Sequence, residues 1–143
     1  MLKGIPSILS PDLLKILQEM GHGDTIVLVD ANFPAAACAK RLVRADGHNL
    51  PDVLEAVMQL LPLDSYAEHQ AGLMEVVPGD PTVPVIWDIF KEIISRHESF
   101  DVNYEMIERF EYYERTKQAF AVISTGETAL YANIILKKGI VSI

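Results

Sequence analysis

The stretch Thr25-Ile26-Val27-Leu28-Val29-Asp30 constrains this chain more than any other, because four aliphatic side chains stand in unbroken succession. In an extended segment consecutive side chains point to opposite faces, so such a run demands cover on both sides. Helices supply that cover in layered α/β proteins. The rest of the sequence provides them.

Ser10 followed by Pro11 reads as an N-cap and a first helical residue, and Leu13, Ile16, Leu17 and Met20 then recur at helical spacing up to Gly21. After the 25–30 strand, the Ala- and Pro-rich segment 31–40 predicts a loop with a short helical turn. Residues 41–47 predict a short strand closed by Asp46-Gly47. Pro51 opens a helix with Val53, Leu54, Val57, Met58 and Leu61 on one face, which Pro62 helps to end. A strand in 71–81 leads into a turn, and Val85, Ile86, Ile89, Phe90, Ile93 and Ile94 mark a longer amphipathic helix. Strand 102–107, helix 108–119 and strand 120–125 follow, with at least one more strand in 130–143. This alternation predicts one α/β domain over 1–143, with three α/β/α layers around a mixed, largely parallel sheet.

At 143 residues, half of them hydrophobic and 22% charged, the composition is that of a packed globule. A mean hydropathy of +0.19 hints at apolar surface buried between copies. Twenty acidic residues against twelve basic ones give a net charge of −8, which repels phosphate backbones and anionic lipids and argues against nucleic-acid partners. No run of signal-peptide or membrane-spanning character is present, so the expectation is a soluble, cytoplasmic protein with no membrane partner. The lone Cys38 reads as a small packed residue.

In open α/β sheets the ligand crevice lies beyond the carboxyl ends of the strands, where Asp30 is expected. His22 sits between Gly21 and Gly23, which leaves its ring uncrowded; read without a partner, it is also a plain helix cap. In 126–139, an extended run from Tyr131 to Ile135 would set Tyr131 and Asn133 on one face, a phenol beside an amide suited to reading a polyhydroxylated ligand. No dinucleotide, P-loop or nucleophile-elbow motif competes for the site. His48, His69 and His97 make no i, i+4 pair, so neither a cofactor nor a metal is expected. His97 reads as solvated surface, and His69 as a loop residue that lines a pocket or a subunit contact.

The stretches LKILQEMGHGD, VDANFPA, LVRADG, LDSYA, RFEYYER, AFAVISTGE and YANIILKKG follow one another from the first helix to nearly the last residue. In that order and spacing the chain resembles the ribose pyranase and L-fucose mutarotase family, its fucose branch above all. Residues 67–101 match less well. The resemblance implies cofactor-free interconversion of sugar forms, with His22 as proton donor and Asp30 as a sugar-binding residue. It also implies substrate binding by Arg109, where the ribose branch carries a histidine, and by Tyr131 and Asn133. On this reading Asp30 either grips a sugar hydroxyl or orients the His22 imidazole. Phe33, Tyr112 and Tyr113 are candidates for the methyl group of L-fucose, with core packing the expected role of at least one. The family further implies closed homo-oligomers, typically decamers of two stacked pentamers, with smaller assemblies also found in it. Ribose pyranase-type activity on another monosaccharide, or non-catalytic sugar binding, are the alternatives.

Overall fold

A computed structural model describes residues 1–143. Its elements run α1 (Pro11–Glu19), β1 (Thr25–Val29), α2 (Ala35–Cys38), β2 (Leu42–Ala45), α3 (Leu50–Met58), β3 (Ala71–Met74), α4 (Ile86–His97), β4 (Tyr104–Ile107), α5 (Arg109–Gln118), β5 (Ala121–Thr125) and β6 (Ile134–Lys137). The helix starts obey local rules. Leu13 N donates to Ser10 Oγ at 3.2 Å and Asp52 N to Asn49 Oδ1 at 2.9 Å, each satisfying a backbone donor that the first helical turn leaves open.

All six strands join one sheet in the order β2-β5-β1-β6-β3-β4. Only β6 runs against the others, pairing antiparallel with β1 and with β3. The sheet is therefore mixed and largely parallel, as the sequence predicts. Side-chain alternation divides it into two faces. Ile26 and Leu28 of β1, Ile123 of β5 and Ile134 and Leu136 of β6 enter the larger core, which α1, α3 and α4 cover with Leu13, Leu17, Leu54, Val57, Phe90 and Ile94. Val27, Val29, Val122 and Ile135 face the other way, onto Ala35 of α2 and Tyr112 of α5. Ile26 through Val29 are wholly buried. At roughly 1.5–3 kcal/mol for each buried aliphatic side chain, the opening strand supplies a large share of the driving force for stacking the three layers.

His97 departs from its expected place in solvent. Its Nε2 lies 2.8 Å from Glu55 Oε1, which fastens the end of α4 to the middle of α3. Periodicity along α4 alone carries no sign of that partner. No helix is long and apolar enough to cross a membrane.

Candidate active site

Because β6 alone is reversed, its first residues lie at the same end of the sheet as the last residues of β1, β3 and β4. Asp30 follows β1, Arg109 opens α5 just after β4, and Tyr131 and Asn133 precede β6. All four line one open cavity of about 260 Å3, together with Phe33, Asp80 and Tyr113. Four of the five predicted site residues are thus brought together at the carboxyl ends of the strands.

Asp30 is buried, and its backbone N donates to Asn133 Oδ1 at 3.0 Å. The Asn133 amide nitrogen also serves the Asp30 carboxyl and keeps a second hydrogen to donate to a ligand. Burial raises the Asp30 carboxyl above the ordinary value of 3.8, against the lowering effect of bonds from the Asn32 and Phe33 backbones and from Asn133; the Glu127 charge pushes it up further. Arg109 forms no ion pair, and its guanidinium stacks 4.6 Å from the Phe110 ring centroid. An unpaired cation and a desolvated acid lining one cavity suit the hydroxyls of a neutral polar molecule.

Tyr131 departs from the extended conformation expected for 131–135: its φ is +57°, in the left-handed region that a bulky residue rarely occupies. Extended pairing begins only at Ile134. Three bonds hold the residue there. Trp87 Nε1 donates to the Tyr131 carbonyl at 2.9 Å, the Val77 N–H donates to the phenol oxygen at 3.2 Å, and the phenol donates to Asp80 Oδ2 at 2.6 Å. The Thr82 hydroxyl, then Tyr131 and the Thr82 N–H, hold the Asp80 carboxyl below 3.8, while Asp80 raises the Tyr131 phenol. Tyr131 and Asn133 still share a ligand wall, for a reason other than strand alternation. Asp80 is a pocket acid that the sequence reading did not single out. Its only signal is the Asp80-Pro81-Thr82 turn, in which Thr82 N and Oγ1 both donate to Oδ1.

The aromatic candidates separate. Phe33 and Tyr113 meet edge to face at 5.4 Å between ring centroids and form an apolar wall of the cavity. Tyr112 is fully buried beneath them, its hydroxyl without a partner and raised well above 10 by burial and by the Asp30 charge. It is core, as expected of at least one of the three.

His22 is elsewhere. It precedes β1 and Asp30 follows it, so five strand residues at about 3.3 Å each put roughly 15 Å or more between them. Its Nε2 is 3.0 Å from Asp64 Oδ1, so within one chain Asp64, and not Asp30, orients the imidazole. The His22 side chain is 47% exposed. His69 lies in a second cavity of about 280 Å3 with Glu105, Arg115 and Lys137, away from Asp30. Trp87 acts on the site through Tyr131. No three His, Cys, Asp or Glu side chains converge to hold a metal ion.

A mixed sheet covered on both faces, with an acid, a guanidinium, a phenol and an amide gathered past its strand ends, is the class of α/β protein that holds a small polar ligand in that crevice. More narrowly, the chain belongs to the RbsD / FucU transport protein family, whose model matches residues 3–141. It is 50% identical over 148 residues to the fucose mutarotase of Homo sapiens, covering 99% of this chain and 96% of that one. It superimposes with a TM-score of 0.94 on the fucose mutarotase of Streptococcus pneumoniae in complex with L-fucose, at 51% identity and covering 99% and 100% of the two chains. The D-ribose complex of Bacillus subtilis RbsD gives a TM-score of 0.75 at 25% identity, covering 99% and 100%.

Proposed function

We propose that residues 1–143 act as one cytoplasmic L-fucose mutarotase domain that interconverts the α and β anomers of the sugar by acid/base ring opening and closure. The observation that carries this reading is the convergence of Asp30, Arg109, Tyr131 and Asn133 on one cavity, in a chain 51% identical to a fucose mutarotase solved with L-fucose. Asp30, Arg109 and the Asn133 amide take the sugar hydroxyls, and the Tyr131 ring forms part of the wall. The apolar side made by Phe33 and Tyr113 receives the methyl group of the 6-deoxy sugar.

Mutarotation takes a proton from the anomeric hydroxyl and delivers one to the ring oxygen. The bond between C1 and the ring oxygen then breaks to give the open aldehyde, the C1–C2 bond rotates, and the hydroxyl adds back to the other face. Histidine, with an unperturbed pKa of about 6.5, serves both transfers, and such positioned proton transfers contribute about 10²–10⁴-fold. His22 fills this role. Since His22 and the cavity lie at opposite ends of β1, the complete site forms between copies: His22 of one chain meets the Asp30 pocket of another, in a closed ring such as a decamer of two pentamers.

Saturation transfer between the α and β H1 resonances of L-fucose tests the reading. Wild-type protein accelerates exchange and His22→Ala loses at least about 10²-fold of that acceleration. An unchanged rate in His22→Ala refutes the acid/base assignment. Saturable binding without acceleration by the wild type leaves a sugar-binding protein instead, and faster exchange of D-ribose than of L-fucose moves the substrate to the ribose branch.

A further inference from the structure

The bonded partner of His22, which the reading above does not use, lies at the His22 end of β1. Asp64, in the segment after α3, has a side chain only 7% exposed, whereas the His22 ring bonded to it is 47% exposed. The residue is held at its side chain and at its backbone. Its Oδ1 accepts from Tyr66 N at 3.1 Å, and Asp64 N donates to the Lys137 carbonyl at 3.0 Å.

The end of β6 ties this segment to the histidine turn. Leu63 bridges Lys138, and Gly139 N donates to the Pro62 carbonyl at 2.8 Å. On the opposite side Gly23 N donates to the Lys138 carbonyl, and Lys138 N donates to the Asp24 carbonyl, both at 2.8 Å. Residues 137–139 therefore lie between the two segments and fix the register of His22 against Asp64. Two glycines make the approach possible. Gly23 has φ +88°, and a Cβ on Gly139 would sit 2.5 Å from the Leu63 carbonyl oxygen. The Tyr66 ring, 6.1 Å from the imidazole and tilted by 59°, flanks the same histidine.

We propose that Asp64 is a positioning residue for the mutarotase reaction, holding the proton of His22 on Nε2 so that Nδ1 is the atom that exchanges protons with the sugar. The inference rests on the reading of His22 as the acid/base. A buried carboxylate accepts a hydrogen bond and has none to give, so the ring nitrogen facing it carries the hydrogen. Nδ1 of the neutral ring then offers its lone pair to the anomeric hydroxyl. The resulting imidazolium keeps Nε2–H on Asp64 and returns the proton from Nδ1 to the ring oxygen. One proton moves on and off Nδ1, and Asp64 stays ionised throughout.

The test combines ¹⁵N NMR of protein labelled in its histidine rings with anomer-exchange kinetics on L-fucose. At a pH where the ring is neutral, wild-type His22 shows a protonated Nε2 and a bare Nδ1. Asp64→Ser retains a hydroxyl that can accept from Tyr66 N but cannot reach the imidazole. It shows the mixed tautomers of a free ring, with kcat down about tenfold or more and KM within about twofold. A wild-type ring protonated on Nδ1 overturns the proposal, and so does an Asp64→Ser protein with wild-type kcat and tautomer. Should Asp64→Ser fail to fold, the wild-type ¹⁵N assignment decides alone. The underlying reading fails separately: there His22→Ala exchanges the anomers as fast as wild type, whereas a slow His22→Ala with an unaffected Asp64→Ser removes only the role of Asp64.

Discussion

A site divided between copies can be rebuilt from two broken halves, and the distances here set how much returns. A general acid has to come within about 2.6–3.2 Å of the heavy atom with which it exchanges a proton. A cavity of about 260 Å3 cannot bridge the 15 Å or more that β1 places between His22 and Asp30 of one chain. His22→Ala leaves an intact pocket and Asp30→Asn leaves an intact histidine, so each homogeneous assembly is inactive for a different reason. Mixed at equal amounts and reassembled at random, a given site draws a working histidine half the time and a working pocket half the time, so roughly a quarter of wild-type activity returns. The assay is anomer exchange on reassembled mixtures, with native mass spectrometry to verify mixed oligomers. The control pairs Asp30→Asn with Arg109→Ala. Both residues belong to one pocket, so every pocket in that mixture keeps a defect and nothing returns. Mixed oligomers without recovery in the first pair, or equal recovery in both, refute a site shared between chains.

Two further outcomes follow from the pocket. Trp87→Phe removes the donor to the Tyr131 carbonyl and frees the left-handed turn at a cost of about 0.5–1.5 kcal/mol; KM for L-fucose rises severalfold in kinetics while the thermal midpoint falls only slightly. Asp30 ionises above 3.8, so a carboxylate that accepts sugar hydroxyls is lost on acidification before an ordinary aspartate would be. Sugar affinity, measured by titration calorimetry, therefore weakens as pH falls toward that raised value and recovers above it, and Asp30→Asn removes this dependence.

Much of the architecture is legible because local and tertiary demands agree. Residues 25–30 read as a doubly covered strand, and Thr25–Val29 form one; the Ser10-Pro11 start is capped as its residue types require, and the helix read from Pro51 starts one residue earlier, behind an Asn49 cap. Pairings across long separations are not legible. Asp64 meets His22 across 42 residues and His97 meets Glu55 across 42 residues, through register and helix packing that one-dimensional periodicity does not encode. The Tyr131 conformation is illegible for another reason. A left-handed tyrosine has no sequence signature, and only the Trp87, Val77 and Asp80 bonds make that conformation tolerable. The separation of His22 from Asp30, by contrast, follows from the strand between them, since a fully extended run carries its two ends apart.

The single reversed strand has a consequence for how the protein can change. β6 begins just after Asn133, beside the Asp30 cavity, and ends at Lys137, next to the segment that seats His22 and Asp64. It is in effect a spacer gauge between the two proposed half-sites of each copy. A one-residue insertion would turn Ile134 and Leu136 out of the larger core, and a two-residue insertion would restore the faces but displace one half-site by about 7 Å. In the proposed closed ring every site repeats the same gauge, so such an error would recur at each junction and no neighbour could absorb it. On the proposed shared site, length in this strand is fixed by assembly as much as by folding, and loops elsewhere are the places where the chain is free to grow.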